Sequence, residues 1–288
     1  MNNTIYDENF ITNEIDDLPD EVFQKNCYVF FSGGADSTAV LELVSYRCSK
    51  LKLPCTAVTF NATHYDQNKY AKESTARENI ISNLRERGRW IEELFVSLTT
   101  FNDRCKIVFP IRSGYSALPQ QLSWFANSLL FMENDCSLFF GYNKDDSNFW
   151  RHLHYFNKIY SSVIHLAGKL SARIYLPLAF HSKVSVLDYL HEQCLDDFTW
   201  SCENYSYIDR TKLDQKLCGH CSSCRLNVSA LVQLYQKIGD INKQKWILDK
   251  LKNIYDIDLS NINKSDNKQI NDSEIFEDYD TKYNIFFD

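Results

Sequence analysis

Cys27-Tyr28-Val29-Phe30-Phe31-Ser32-Gly33-Gly34-Ala35-Asp36-Ser37 is the stretch on which the reading of this chain turns. An apolar run of β character ends in two adjacent glycines, and a helix-compatible segment begins at once. The pattern predicts a strand over 27–32 and a helix from Asp36 to Leu53, closed by Pro54. Two glycines allow the tight bend that turns backbone N–H groups and a helix N-terminus toward one anion, and a phosphate is the anion such a cradle fits. Ser32 and Ser37 add hydroxyl donors, and Asp36 adds a carboxylate suited to Mg²⁺ held against the same phosphates. Ser32, Gly33, Gly34, Ala35, Asp36, Ser37 and Thr38 are therefore the candidate nucleotide-binding set. Neither G-x-x-x-x-G-K-S/T nor a complete G-x-G-x-x-G is present.

With 288 residues the chain is long enough for one large α/β domain with an appendage. No run is apolar for long enough to span a bilayer, and the N-terminus is acidic and polar, so a cytoplasmic location is expected. In that compartment the ten cysteines read as thiols or metal ligands rather than disulfides. The net charge of −7 is unevenly spread. Residues 1–25 and 256–288 each sum to −6, and the body between them to +5. A mildly basic body suits an anionic small molecule, and its charge is too thinly spread to predict nucleic-acid binding.

Further strands are expected at 55–60, 94–98, 136–141 and 173–176. Helices are expected at about 69–87, 120–134, 149–167 and 183–194. This alternation predicts a doubly wound parallel sheet, helices on both faces, and ligands at the strand C-termini. The organisation that follows is an acidic extension at 1–25 and an α/β domain at 26–198. A cysteine region with helices covers 199–255, and an acidic tail 256–288.

Cys218-Gly219-His220-Cys221-Ser222-Ser223-Cys224 is the second strong signal. Three thiols at this spacing converge on one tetrahedral metal, and Cys202 is the best fourth ligand, which points to structural Zn²⁺. His220 in place of Cys202, an iron–sulfur cluster and a redox C-x-x-C remain as alternatives. Cys27, Cys48, Cys55, Cys105, Cys136 and Cys194 read as core thiols.

The loop Ser32–Ser37 resembles the S-G-G-x-D-S loop of PP-loop ATP pyrophosphatases, Rossmann-like enzymes that cleave ATP between the α and β phosphates. Adding Thr199-Trp200-Ser201-Cys202 and the three clustered cysteines, the chain resembles the QueC family of 7-cyano-7-deazaguanine synthases. Gly141-Tyr142-Asn143-Lys144-Asp145-Asp146 is similar to its G-x-N-x-x-D loop, Tyr175-Leu176-Pro177-Leu178 with Lys183 to its P-L…K segment, and Cys224-Arg225-Leu226 to its closing C-x-L-R. The resemblance implies adenylation of the carboxylate of 7-carboxy-7-deazaguanine with ATP and Mg²⁺, followed by attack of ammonia. It implies catalytic roles for Asp36, Lys183 and Arg151, and substrate contacts from Gln121, Asn143 and Asp146. Zn²⁺ would sit on Cys202, Cys218, Cys221 and Cys224.

Departures cluster around the substrate side. Gln120-Gln121 stands where the family has Arg-Asn, and Asn148-Phe149-Trp150-Arg151 replaces its Y-P-D-C-R run. Tyr65-Asp66-Gln67 stands for Tyr-Gly-Gln, and fifteen residues separate Cys202 from Cys218. These changes favour retained carboxylate activation with an altered substrate or acceptor. One version makes a nitrile for queuosine biosynthesis. The other joins the deazapurine to an amine on a partner protein from the same operon, as in anti-phage defence. A homodimer is left open. The alternatives in other classes are a thiolase-like tRNA-modifying enzyme and a module that only binds nucleotide.

Overall fold

The computed structural model describes residues 10–61, 67–97, 133–168, 171–202, 222–245 and 247. Six strands form one sheet: β1 (Phe10–Ile11), β2 (Asn26–Phe30), β3 (Cys55–Asn61), β4 (Ile91–Ser97), β5 (Cys136–Phe139) and β6 (Arg173–Tyr175). Their order across the sheet is β1-β6-β5-β2-β3-β4, and every pairing is parallel. From β2 the chain steps outward through β3 to β4, and from β5 it steps the other way to β6. The order reverses between β2 and β5, which is where an open α/β sheet leaves a crevice for a ligand.

Helices cover both faces: α1 (Asp20–Phe23), α2 (Ala35–Lys50), α3 (Gln67–Glu86), α4 (Ser147–Ala167), α5 (Lys183–Glu192) and α6 (Ser222–Ile238). The alternation of strand side chains assigns the faces. Cys27, Val29 and Phe31 pack with Val40, Leu41 and Val44 of α2, Leu187 and Leu190 of α5, and Leu234 of α6. Phe30, Leu138 and Phe140 point the other way and pack with Phe149, Leu153, Phe156 and Tyr160 of α4. The doubly wound parallel α/β fold expected from the sequence is the fold observed. Among the described residues no helix is long and apolar enough to cross a membrane.

Element limits differ from expectation by a few residues, for physical reasons. α2 closes at Lys50 rather than Leu53, because Lys52 turns the chain with φ 59° ahead of Pro54. β4 begins at Ile91, three residues before the expected start, in full register with β3 from Cys55↔Ile91 to Asn61↔Ser97. The segment set apart as an N-terminal extension is continuous with the sheet from Phe10 onward. β1 pairs with β6, and Phe10 and Phe23 are fully buried with Ile15, Leu18 and Val22 close to it. The helix expected at 120–134 lies outside the described residues.

A buried carboxylate ties α2 to its neighbours. Glu42 accepts from Arg89 Nη2 at 2.9 Å and from the hydroxyl of Tyr189 on α5. Burial and this carboxylate push the Tyr189 phenol well above its ordinary range. Because Glu42 is 3% exposed, these partners replace the water its carboxylate oxygens would otherwise bind. Glu42→Ala is expected to cost about 3 kcal/mol or more, read as a lowered denaturant midpoint with an unchanged slope.

Candidate active site

The turn after β2 is built by its own side chains. Gly33 takes φ 84°, a conformation that excludes most side chains. A Cβ there would also come within 3.1 Å of Arg77 Cγ. The Gly34 carbonyl accepts from the Thr38 amide at 3.0 Å, the Thr38 hydroxyl at 2.8 Å and the Ser37 hydroxyl at 3.0 Å. The Ser32 amide donates to Ser37 Oγ at 3.3 Å, and the two serine hydroxyls meet at 3.1 Å. The loop is thus held in shape before any ligand arrives. Ala35, Asp36 and Ser37 form the first turn of α2, so the positive end of a 16-residue helix faces the crevice.

Two distant segments converge on Asp36. Its Oδ1 accepts from Asn143 Nδ2 at 2.9 Å, and its Oδ2 meets Lys183 Nζ at 2.5 Å. Asn143 lies in the turn after β5. Lys183 is the first residue of α5, behind a Ser182 cap that accepts from the Ser185 amide at 3.2 Å. A lysine opening a helix ordinarily faces water, yet this one is 4% exposed. Its backbone amide is also held, donating to Asp145 Oδ2 at 2.7 Å. Fixed at both ends, Lys183 presents its ammonium at the mouth of the glycine turn.

The turn after β5 is equally constrained. The Asn143 amide donates to Asp146 Oδ2 at 2.9 Å, and the Asp145 amide donates to Asn143 Oδ1 at 2.8 Å. Trp150 of α4 donates its indole N–H to the Asn143 carbonyl at 2.7 Å. Burial first, and the charge of Asp36 second, raise the Asp146 pKa to about 6. Since that value lies above the unfolded one, ionised Asp146 is a cost to the ligand-free fold above pH 6, relieved as pH falls toward 4. Asp146→Asn keeps the acceptor and removes the charge. It is therefore expected to stabilise the protein at pH 7 by roughly 1–3 kcal/mol, and by nothing at pH 4. Paired thermal melts across that range check it.

Sequence reasoning did not single out four contributors. Arg77 of α3 lies behind the turn with Nη1 3.5 Å from the Ser32 carbonyl, and it pairs with Glu73 at 3.7 Å. The Trp200 amide donates to the Gly33 carbonyl at 2.9 Å, clamping the segment before Cys202 onto the glycine turn. Asp145 and Trp150 position Lys183 and Asn143 as described. Arg77 sat in a charged helix pattern and left no signal, whereas Trp200 belonged to a quoted motif. Arg151, expected to act in catalysis, is exposed on α4, while its neighbour Trp150 carries the contact to Asn143. Gln121 lies outside the described residues.

Asp36 and Asp146 supply hard oxygen donors of the kind Mg²⁺ takes, and the Lys183 ammonium already stands as a cation beside Asp36. Of the four thiols expected to hold zinc, Cys202 and Cys224 are buried and not in disulfides, while Cys218 and Cys221 lie outside the described residues. Among the described residues no group of three or more His, Cys, Asp or Glu side chains is arranged around a metal position.

No protein-family model matches the chain, and no curated protein matches it. Among solved structures the chain is similar to the U34-tRNA thiolase NcsA from Methanococcus maripaludis with its 4Fe–4S cluster. That likeness has a TM-score of 0.42 and 15% identity, covering 93% of this chain and 84% of the other.

Proposed function

We propose that this protein is an ATP-dependent ligase or synthase that adenylates a carboxylic acid, releases pyrophosphate, and passes the acyl group to nitrogen. The observation that supports this best is the joining of Asp36 to Lys183 and Asn143 at the mouth of a preformed anion turn. A carboxylate is a poor electrophile until one of its oxygens becomes part of a leaving group. Its oxygen attacks the α-phosphorus, the bond to the bridging α–β oxygen breaks, and pyrophosphate departs with the electron pair. The amine then attacks the acyl carbon and AMP leaves.

Each residue has a role in that sequence. The N–H groups from Gly33 to Ser37 and the end of α2 receive the departing pyrophosphate. Lys183 offsets charge growing on the α-phosphoryl oxygens. Asn143 and Asp146 face the reacting acid across Asp36. Mg²⁺ on Asp36 would supply charge neutralisation at the same phosphates. Zn²⁺ on Cys202, Cys218, Cys221 and Cys224 would have no step in the reaction and would brace the segment that Trp200 clamps to the turn. By resemblance, the acid is 7-carboxy-7-deazaguanine or a related deazapurine, and the acceptor ammonia or an amine on a partner protein.

Incubation with ATP, Mg²⁺, 7-carboxy-7-deazaguanine and ammonia tests the proposal. AMP and pyrophosphate formed only when the acid is present are expected. Release of ADP and phosphate, or no dependence on any carboxylic acid, overturns it. Mass analysis of the small product and of co-purified protein then separates nitrile formation from conjugation.

A further inference from the structure

A second cavity of about 660 Å³ lies on the α4 side of the sheet, a size ordinary for a small-molecule site. It sits at the carboxyl ends of three strands, since Thr12 follows β1, Lys144 follows β5 and Phe180 follows β6. One wall is a single stripe of α4, with Trp150, His154 and Lys158 spaced four residues apart and so stacked along one face. Phe180 lines the same cavity with 63% of its surface exposed, so its ring is accessible to a ligand there.

The distribution of charge indicates what it takes. Around the glycine turn stand Asp36, Asp145 and Asp146, with the Lys183 ammonium paired to the first of them. The cavity beside the Asn143–Asp146 turn is lined by Lys144, Lys158 and His154, and among its described lining residues none is acidic. The two compartments adjoin at Asn143. Asn143 bonds Asp36 while the next residue, Lys144, faces the cavity, and the Trp150 indole reaches the Asn143 carbonyl from the cavity side.

We infer that this cavity binds the acid substrate, a planar aromatic carboxylate whose ring lies on Trp150 and Phe180 and whose charge is drawn to its lysines. The inference rests on the adenylation reading for the identity of the reaction, and not for the binding itself. Lys144 stands beside the phosphate turn, so an acid carboxylate at that end is the one nearest the incoming nucleotide. Lys158 lies farther along α4 and holds polar groups at the distal end of the ring.

Lys158→Glu and Phe180→Ala alter exposed side chains outside the catalytic group, so folding is expected to be retained. Calorimetry on the full chain would measure the Kd of 7-carboxy-7-deazaguanine and of a non-hydrolysable ATP analogue. Both variants are expected to weaken the acid at least about tenfold while leaving the nucleotide unchanged, with Lys158→Arg near wild type. Wild-type affinity for the acid in both variants overturns the cavity assignment and leaves adenylation intact. Weakened acid binding without any acid-dependent pyrophosphate release supports the cavity and overturns adenylation. A wild-type protein that binds no acid overturns the cavity assignment outright.

Discussion

Asp36→Ala is expected to lower acid-dependent pyrophosphate release by about 10²–10³-fold, and to destabilise the fold more than Lys183→Met does. The asymmetry follows from exposure. The Asp36 side chain is 22% exposed, so water can partly solvate its carboxylate when the lysine is removed. The Lys183 side chain is 5% exposed, and without Asp36 its ammonium is stranded at the positive end of α5. Stranding a buried charge costs about 3–5 kcal/mol, whereas removing both partners of such a pair is frequently close to neutral. The double variant Asp36→Ala/Lys183→Met is therefore expected to regain most of the stability lost in Asp36→Ala and none of the activity. Denaturant melts and a pyrophosphate assay on the four proteins of this cycle decide it. Equal destabilisation by the two single changes would mean the pair is not closed as described. Full activity in Asp36→Ala would remove the turn from the chemistry altogether.

What the sequence made legible is what is local. Two glycines after an apolar run announce the turn, and the unbroken apolar run of residues 27–31 is what a strand covered on both faces requires. The hidden parts depend on contacts between distant segments. Phe10 and Ile11 form a strand of two residues inside an acidic stretch, too short for any periodicity to stand out. Their role is set by pairing with Ile174 and Tyr175, far along the chain. Lys183 has the local appearance of an exposed helix-start lysine. Its burial follows only once α5 is docked on α2 and Asp36 is brought to it.

The site divides in the same way. Asn143 and Asp146 were singled out because they belong to a short motif, and the structure joins them in one turn. Arg77 sits among Lys72, Glu73, Glu78 and Arg85, a charge pattern that describes a solvated helix face equally well. Only the packing of α3 behind Gly33 makes this one guanidinium part of the glycine turn. Arg151 illustrates the converse. A residue type fitting the chemistry was placed by a motif that this chain keeps poorly, and one step of 100° around α4 separates it from Trp150, which bears the contact.

Gly141→Ala is expected to be the most damaging change of a single methyl group in the described residues. A Cβ at Gly141 would lie 2.7 Å from the carbonyl carbon of Asp36, 2.8 Å from the Ser37 nitrogen and 2.9 Å from the Asp36 oxygen. All three are backbone atoms of the first turn of α2, so no side chain can swing aside. Relief requires the end of β5 and the start of α2 to separate, which opens the crevice at which Asn143 reaches Asp36. Overpacking of this kind costs about 1–3 kcal/mol in ordinary cores. Here the displaced element also carries the amides proposed to bind nucleotide, and misplacement of such groups by about 1 Å is enough to cost roughly 10²-fold in rate. Gly88→Ala is the matched control, since a Cβ there meets nothing within 4 Å and the cost is confined to its φ of 81°. The expected pattern is a modest loss of melting temperature in both variants, with loss of ATP affinity and pyrophosphate release in Gly141→Ala alone. If Gly141→Ala binds and turns over ATP as wild type does, β5 and α2 do not approach as closely as the site requires. The joining of Asn143 to Asp36 would then lose its structural basis.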